Sequence, residues 1–268
     1  MPNVSVVIPT YNRANLIARS IRSVLEQTVE PLEVIVVDDG SKDDTKKVIE
    51  EMNEPKVKYI YQENGGAASA RNRGVQECKG DWIAFHDSDD VWHADKLEKQ
   101  LKYAKDHPEY DLIYSSYCLI MPNGMGTNVP YVKDREILEG DIYLPLLVMN
   151  TIGTPTILVK TEDFLSIGGF NSELRCIEDW DFAIRFSQNH KIGFVSEVLV
   201  DAYRVDLSVS SNLPDMFDIR CKVLTSNKDV LLKYNLFDTA VGNLFKMAEE
   251  SHCLEMVQKM FMLYLQRQ

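Results

Sequence analysis

Four short apolar runs govern what this chain can fold into. They are "VSVVIP" at 4–9, "LEVIVVDD" at 32–39, "VKYIYQ" at 57–62 and "DWIAFHD" at 81–87. The first two in particular are dense in β-branched residues and barely alternate with polar ones, the pattern of strands buried on both faces. Between them lie stretches of helical character. In "ANLIARSIRSVLEQ" the apolar residues Leu16, Ile17, Ile21, Val24 and Leu25 share one helical face. "SKDDTKKVIEEM" reads as a helix with Ser41 as its N-cap and acids in its first turn. "AASARNRGVQECKG" is a short helix ending near Gly80, and "ADKLEKQLKYAKDH" follows the fourth run. Strand–helix alternation with tight connections implies an α/β domain with a largely parallel sheet covered on both faces.

Beyond "DLIYSSYCLI", a fifth strand, the pattern loosens. "MPNGMGTNVPYVKDREILEG" carries the Pro and Gly punctuation of a hairpin plus loop. "GTPTILVK" reads as a strand, "TEDFLSIGGF" as a short helix ending at glycines, "EDWDFAIRFSQNH" as a helix from Glu178, and "GFVSEVLVDAYRV" as one or two strands. From about Pro214 the chain reads as helix only: Val241, Leu244, Phe245 and Ala248 fall on one face, as do Val257, Met260, Phe261 and Tyr264. The expected organisation is therefore a domain over 1–213 and a helical extension over 214–268. The apolar stripes of the extension would pack on the domain, pair two chains, or touch a membrane surface.

Sheets of this kind bind ligands at the carboxyl ends of their strands, and that is where the acids collect. "WIAFHDSDDVW" places Asp87, Asp89 and Asp90 directly after a buried strand. Carboxylates this close repel one another, and their burial costs several kcal/mol per ion in effective terms unless compensated. Asp87 and Asp89, at i and i+2, would point the same way from an extended strand tip, and two hard oxygens suit magnesium or manganese. Asp38 and Asp39 end the second run: "DDGS" is turn chemistry suited to Asp38, leaving Asp39 to accept an N–H from a nucleobase edge. Tyr11 could lie against a base, with Pro9 fixing the strand exit. In "NGGAASARNRG", Gly65 and Gly66 precede a helix start and could admit a phosphate, with Arg71 either contacting a diphosphate or bridged to an acid on the helix face. Glu178 and Asp179 open a later helix, and Asp206 follows "AYRV".

Composition removes several classes. A formal net charge of −12 disfavours a nonspecific nucleic-acid binder, which needs a basic face, and leaves open a local basic patch for an anionic ligand. Five scattered cysteines without a C-x-x-C pair suggest free thiols in a reducing cytoplasm rather than a zinc cluster or disulfide framework. "MPNVSVVIPTYNR" lacks the basic and apolar regions of a signal peptide, and no apolar stretch reaches the roughly 18–20 residues of a membrane span. The expected location is the cytoplasm, with attachment to the inner membrane face left open.

Taken together and in order, "VSVVIPTYNR", "EVIVVDDGSKDDT", "NGGAASARNRG", "WIAFHDSDDVW", "GGFNSEL" and "EDWDFAIRF" resemble the motifs of family 2 glycosyltransferases over roughly residues 3–211. The resemblance implies the GT-A fold and inverting transfer of a sugar from a nucleoside diphosphate sugar. The expected donor is a UDP-hexose and the acceptor a glycan, lipid-linked glycan or glycoprotein. It implies that Asp39 reads uracil, that Asp87 and Asp89 hold Mn2+ or Mg2+ on the diphosphate, and that Asp179 is the catalytic base, ionised near its helix N-terminus. Pro9, Tyr11, Arg71 and Ser88 would complete the nucleotide site; Glu178 would line the sugar and acceptor or cap its helix, and Trp180 would be a platform for a sugar ring or, equally, a core residue. Asp206 stands where many relatives carry a histidine metal ligand. The Q-x-x-R-W motif of processive synthases is missing after "EDWD", so one sugar per acceptor visit, or a short series, is expected. Two other readings are a noncatalytic sugar-nucleotide-binding scaffold on the same fold and a nucleotidyltransferase. Intact Asp39, Asp87, Asp89 and Asp179 weigh against the first. The loop "TYNRAN", lacking a glycine- and basic-rich character, weighs against the second.

Overall fold

A computed structural model describes residues 2–131, 137–204 and 213–250. Its first half follows the alternation seen in the sequence: β1 (Val4–Thr10), α1 (Ile17–Leu25), β2 (Glu33–Asp38), α2 (Thr45–Glu51), β3 (Val57–Tyr61), α3 (Ala67–Val75), β4 (Trp82–Phe85), then a two-residue β5 (Val91–Trp92) and α4 (Lys96–Asp106). The second half comprises β6 (Leu112–Ile120), β7 (Gly126–Val129), α5 (Tyr143–Val148), β8 (Leu158–Lys160), α6 (Thr161–Ser166), α7 (Glu178–Ser187), β9 (Ile192–Tyr203), α8 (Leu213–Ser226), α9 (Lys228–Lys233) and α10 (Phe237–Glu250).

One sheet runs β3-β2-β1-β4-β8-β6-β9-β5, with β7 paired to β6. β1 to β4 are mutually parallel, and β6 and β9 run with them. The sheet is nonetheless mixed: the three-residue β8 inserts antiparallel between β4 and β6, β5 runs antiparallel to β9, and β7 antiparallel to β6. A short return strand needs no crossover helix, which is why strand–helix alternation alone does not reveal it. β9 is a single strand spanning the whole "GFVSEVLVDAY" segment, and its pairing with β6 is irregular near Ser115 and Ser116.

Alternate residues of the central strands feed opposite faces, as a two-residue repeat requires. Val6, Ile8, Trp82 and Ala84 join Ile17, Ile21 and Leu97 beneath α1 and α4. Val7, Ile83 and Phe85 turn to the other side, among Phe164, Phe170, Trp180 and Phe182. Phe217, Leu224, Leu231, Phe237, Val241, Leu244 and Ala248 belong to that second cluster, so α8 to α10 share their core with α7. Phe245, expected on the same buried stripe, is exposed. No helix among the described residues is long and apolar enough to cross a membrane.

Two local expectations change. α2 begins at Thr45, not beside Ser41, because Asp43 accepts the Thr45 amide (3.0 Å) and hydroxyl (2.5 Å). Ser41 instead accepts the Asn12 amide at 2.8 Å and ties the β1 exit to the β2 exit.

Candidate active site

The carboxyl ends of β1, β2 and β4 open on one edge of the sheet, and the acids of the sequence meet there. After β4 the chain does not stay extended. Asp87 to Asp90 form a tight turn closed by the Asp90 amide on the Asp87 carbonyl at 3.2 Å. Asp87 and Asp89 therefore lean to different neighbours rather than side by side along a strand tip. Asp87 Oδ1 accepts Arg71 Nη2 at 2.6 Å, whereas Asp89 Oδ2 lies 3.5 Å from Arg13 Nε. Arg19 binds the Asp89 carbonyl, and its guanidinium sits 4.2 Å above the Tyr203 ring. Asp90 is buried and accepts the Tyr203 amide at 2.9 Å, which fastens the end of β9 to the acidic turn. Burial first, and the charges of Asp87 and Asp89 second, push the Asp90 carboxyl well above its ordinary range. Burial and Asp87 likewise raise Asp89. The turn is thus short of positive charge.

Arg71 connects this turn to the helix that starts with Glu178 and Asp179. Its guanidinium, almost wholly buried, pairs with Asp87 on one side and with Glu178 on the other. Burial opposes its charge, but the two carboxylates more than offset this and raise its pKa. Arg71 thus makes the acid bridge that was one of the two roles read for it in the sequence.

Asp179 is half-buried in the second turn-forming position of α7. Its Oδ1 accepts the Trp180 amide at 2.7 Å and the Asn150 side-chain amide at 3.3 Å, while the Thr154 hydroxyl lies 3.5 Å from Oδ2. Burial, then the adjacent Glu178 charge, raise its pKa from 3.8 to about 7. The helix dipole, typically worth no more than about 1 kcal/mol at such a site, does not keep it fully ionised at neutral pH as the sequence reading expected. The preceding residue, Ile177, sits in the left-handed region at φ 50° and ψ 28°. For a β-branched residue that conformation costs about 1–2 kcal/mol, and it sets the angle at which the acidic pair enters the site.

On the opposite flank, Asp38 does the turn work expected of it, accepting the Ser41 amide and the Tyr59 hydroxyl. Asp39 lies across the N-terminus of α3. Oδ1 accepts Gln62 Nε2 at 2.7 Å and the Gly65 amide at 2.8 Å, and Oδ2 accepts the Gly66 amide at 2.8 Å. Gly66 holds φ 89°, a conformation that aims its amide at the acid and that a side chain would resist. A carboxylate has about four lone-pair positions, so Oδ2 retains one. Tyr11 is 44% exposed at the β1 exit, Pro9 is buried within β1, and Ser88 is buried within the acidic turn.

Of its two expected roles, Trp180 takes that of a core residue. It is only 3% exposed, its indole N–H donates to the Leu146 carbonyl, and its ring packs in the core, so it offers no face to a sugar. Glu178 is likewise occupied as the partner of Arg71. Asp206 lies outside the described residues. The sequence reading missed Arg13 and Arg19 on Asp89, and Asn150 and Thr154 on Asp179. Arg13 ends the "TYNR" motif and so left a trace, whereas Asn150 and Thr154 come from the irregular middle, where spacing carries no signal.

Among the described residues, Asp111, Asp163 and His190 form a group whose ligand atoms lie within 4.8 Å of one another and could hold a metal. It lies at the other end of the sheet, since Lys160, which pairs in register with Trp82 at the start of β4, binds Asp111 at 2.6 Å. That lysine and His190, 3.0 Å from the other Asp111 oxygen, already supply positive hydrogen-bond partners or their equivalent. Asp87 Oδ2 and Asp89 Oδ1, by contrast, accept from no other described residue. Two free, under-neutralised carboxylate oxygens fit a hard divalent cation.

Known proteins resemble this chain in sequence and in fold. The family model described as "Glycosyl transferase family 2" matches residues 5–129. An uncharacterized glycosyltransferase of Rickettsia prowazekii is 32% identical over 87% of this chain and 76% of its own length. TuaG of Bacillus subtilis, named as a teichuronic acid biosynthesis glycosyltransferase, is 33% identical over 79% of this chain and 82% of its own. Among solved structures, residues 1–349 of S. aureus TarS in complex with UDP superpose with a TM-score of 0.64 at 25% identity, covering 83% of this chain and 64% of that one. A Pyrobaculum calidifontis mannosyltransferase in complex with GDP-Man and Mn2+ shares the fold, with a TM-score of 0.65 at 19% identity over 97% of this chain and 79% of that one.

Proposed function

The chain belongs to glycosyltransferase family 2 and has the GT-A fold; from that premise, as an enzyme that moves sugar from a nucleotide sugar, we propose that it inverts a UDP-hexose onto a glycan, lipid-linked glycan or glycoprotein acceptor. The observation that carries the reading is Asp179. It is a carboxyl raised to about 7 and aimed by Asn150 and Thr154, and Arg71 and Glu178 link it to the acidic turn after β4. A general base works best with a pKa near the working pH, and such groups typically contribute about 10²–10⁴-fold. Asp179 would take the proton from the acceptor hydroxyl as that oxygen attacks the anomeric carbon opposite the departing nucleotide. The spare lone pair of Asp39 Oδ2 would accept the uracil N–H, with exposed Tyr11 against the base.

Asp87 and Asp89, with Asp206 as the sequence reading has it, would hold Mn2+ or Mg2+. When bound, such an ion would neutralise charge on the departing diphosphate, an effect worth several kcal/mol. Arg71 positions Asp87 from behind, and Arg13 and Arg19 steady Asp89. The name borne by TuaG supports an acceptor that is a growing polysaccharide.

The test is UDP release from a panel of UDP-sugars with and without Mn2+, followed by mass spectrometry of the acceptor and determination of the product anomer. At least one donor should be turned over, release should fall with EDTA, and the product should have the inverted linkage. If no donor is turned over and UDP binding is absent or indifferent to EDTA, the proposal is wrong.

A further inference from the structure

The single 3₁₀ turn at Thr154–Thr156 meets Asp179 on one side and side chains of β5 and α4 on the other. The Thr154 hydroxyl lies 3.5 Å from Asp179 Oδ2. The next two carbonyls of the turn are taken by buried donors. The Pro155 carbonyl accepts the Trp92 indole N–H at 3.1 Å, and the Thr156 carbonyl accepts Gln100 Nε2 at 2.8 Å. The same Gln100 nitrogen donates to the Ile113 carbonyl at 3.1 Å. Carbonyls can only accept, so the Gln100 nitrogen must face them and its oxygen must face Lys96 Nζ, 2.7 Å away. Lys96 Nζ in turn lies 4.0 Å from the centre of the Trp92 ring. Trp92, Lys96 and Gln100 are all buried and brace one another as well as the turn. On the β6 side, a Cβ on Gly153 would come within 3.2 Å of the Tyr117 ring, so the turn has little room to move that way.

A buried polar network whose members are all satisfied fixes one arrangement more sharply than apolar packing does. The separation of Thr154 from Asp179 is at the outer limit of a hydrogen bond. A slight shift of the turn would therefore break it. Trp92 follows Asp90 by two positions, so the indole also connects the acidic turn after β4 to the support of Asp179.

We propose that Trp92 and Gln100 are positioning residues for the transfer reaction. By fixing the two carbonyls of the Thr154–Thr156 turn they set the Thr154 hydroxyl against Asp179, along a route separate from Arg71. The proposal rests on the reading of Asp179 as the base.

The charged and titratable groups facing Asp179 are Glu178 on its own helix, Asp87 after β4, Arg71 on α3, Arg220 on α8, Tyr117 on β6 and Cys176 just before α7. Removing the Trp92 N–H changes none of them in kind. A hydroxyl that donates to a carboxylate favours its charged form, so losing that donor moves the titration of Asp179 upward.

The experiment is the pH profile of UDP release with Mn2+, using whichever of UDP-glucose, UDP-galactose and UDP-N-acetylglucosamine the unaltered protein turns over. It compares the unaltered protein with Trp92→Phe, Thr154→Val and the double variant. Phenylalanine keeps a ring beside Lys96 and removes the N–H. The unaltered protein should show an acid limb near pH 7. Trp92→Phe should lower kcat about tenfold at pH 7, short of the 10²-fold that a displacement of about 1 Å can cost. It should leave the donor KM and the affinity for UDP unchanged and move the acid limb to higher pH. Thr154→Val should do the same, and the double variant should be no slower than Thr154→Val alone, because both changes act through one bond. Gln100→Met should act in the same direction and stands in if Trp92→Phe does not fold. An acid limb unmoved in Trp92→Phe and Gln100→Met, or a Trp92→Phe loss that multiplies with that of Thr154→Val, overturns this proposal alone. An unaltered protein with no turnover, or with no acid limb near pH 7, removes the reading of Asp179 as the base and this proposal with it.

Discussion

Replacing Asp179 with asparagine should make the protein more stable at pH 8 while removing most of its transfer activity. The carboxyl is raised from 3.8 to about 7 by burial and by Glu178. In the unfolded chain it returns to its ordinary value, near 3.9. Between about pH 4 and pH 7 the folded protein therefore binds more protons at this group than the unfolded one, and stability must fall as pH rises across that window. The contribution is fully present below pH 4 and is lost as pH passes about 7. At roughly 1.4 kcal/mol per pH unit of displacement, the charged carboxylate costs the fold on the order of 4 kcal/mol at pH 8.

Asparagine is nearly isosteric and carries no charge. Its amide oxygen can still accept the Trp180 amide and the Asn150 side chain, and its NH2 can donate to the Thr154 hydroxyl, which is able to accept. The variant forgoes the helix-dipole contribution, about 0.3–1 kcal/mol. A net gain of about 3–4 kcal/mol at pH 8 is expected, shrinking toward zero near pH 4. Urea unfolding in EDTA at a series of pH values measures it, and UDP release measures the activity, expected to fall about 10²–10⁴-fold. A variant no more stable than the parent at pH 8, or a difference that does not change between pH 4 and 8, would refute the assignment of the raised carboxyl.

Arg71→Met leaves Asp87 and Glu178 facing one another without their shared cation, and should cost about 3–5 kcal/mol in urea unfolding at pH 7. The double variant Arg71→Met with Glu178→Met should recover part of that loss, and failure to recover any would show that the ion pair is not its source. Gly80→Ala would place a Cβ 2.5 Å from the Ser5 amide nitrogen and 2.9 Å from the Asn3 and Trp82 carbonyl oxygens. All three are backbone atoms of adjoining strands that cannot swing aside. A thermal-melt loss equivalent to at least about 1–3 kcal/mol is expected, the usual cost of overpacking, and an unchanged melting temperature would contradict the close approach.

How much of this was legible depends on the range over which each feature is encoded. β1, β2 and β4 could be read because a strand buried on both faces must be apolar at nearly every position, and Val4–Ile8 and Val34–Val37 are. α7 could be placed because its Glu-Asp opening and apolar face are local. The antiparallel insertion of β8 could not, since three residues carry no period and their pairing with Ile83 and Leu112 is settled by the whole sheet. Within the site the acids were visible as residue types at strand ends. Their partners were not: Arg71 reaches Glu178 across 107 positions of sequence, and Asn150 reaches Asp179 from a segment with no regular pattern. Trp180 shows the limit most clearly. Beside a catalytic candidate it invited a role as a sugar platform, but the face of α7 that it occupies is decided by packing against Leu146 and the C-terminal helices.

The bridge through Arg71 explains why the two halves of the site hold a fixed relation. A buried ion triad is weak as a source of stability, because apolar side chains of similar volume often do as well or better. Ile177 in the left-handed region and a carboxyl raised at Asp179 are further costs, and all of them concentrate within a few residues of α7. Strain of this kind persists where the surroundings over-determine it, and it clusters at functional sites. Arg71 binds Asp87 with one arm and Glu178, the neighbour of Asp179, with the other, so the turn after β4 is tied to the start of α7. Displacement reactions are sensitive to alignment, and misplacement by about 1 Å can cost on the order of 10²-fold. On the proposed roles of Asp87 and Asp179, a charged link between them would keep the attacking and departing atoms in line, and it would account for an arrangement that stability alone would not select.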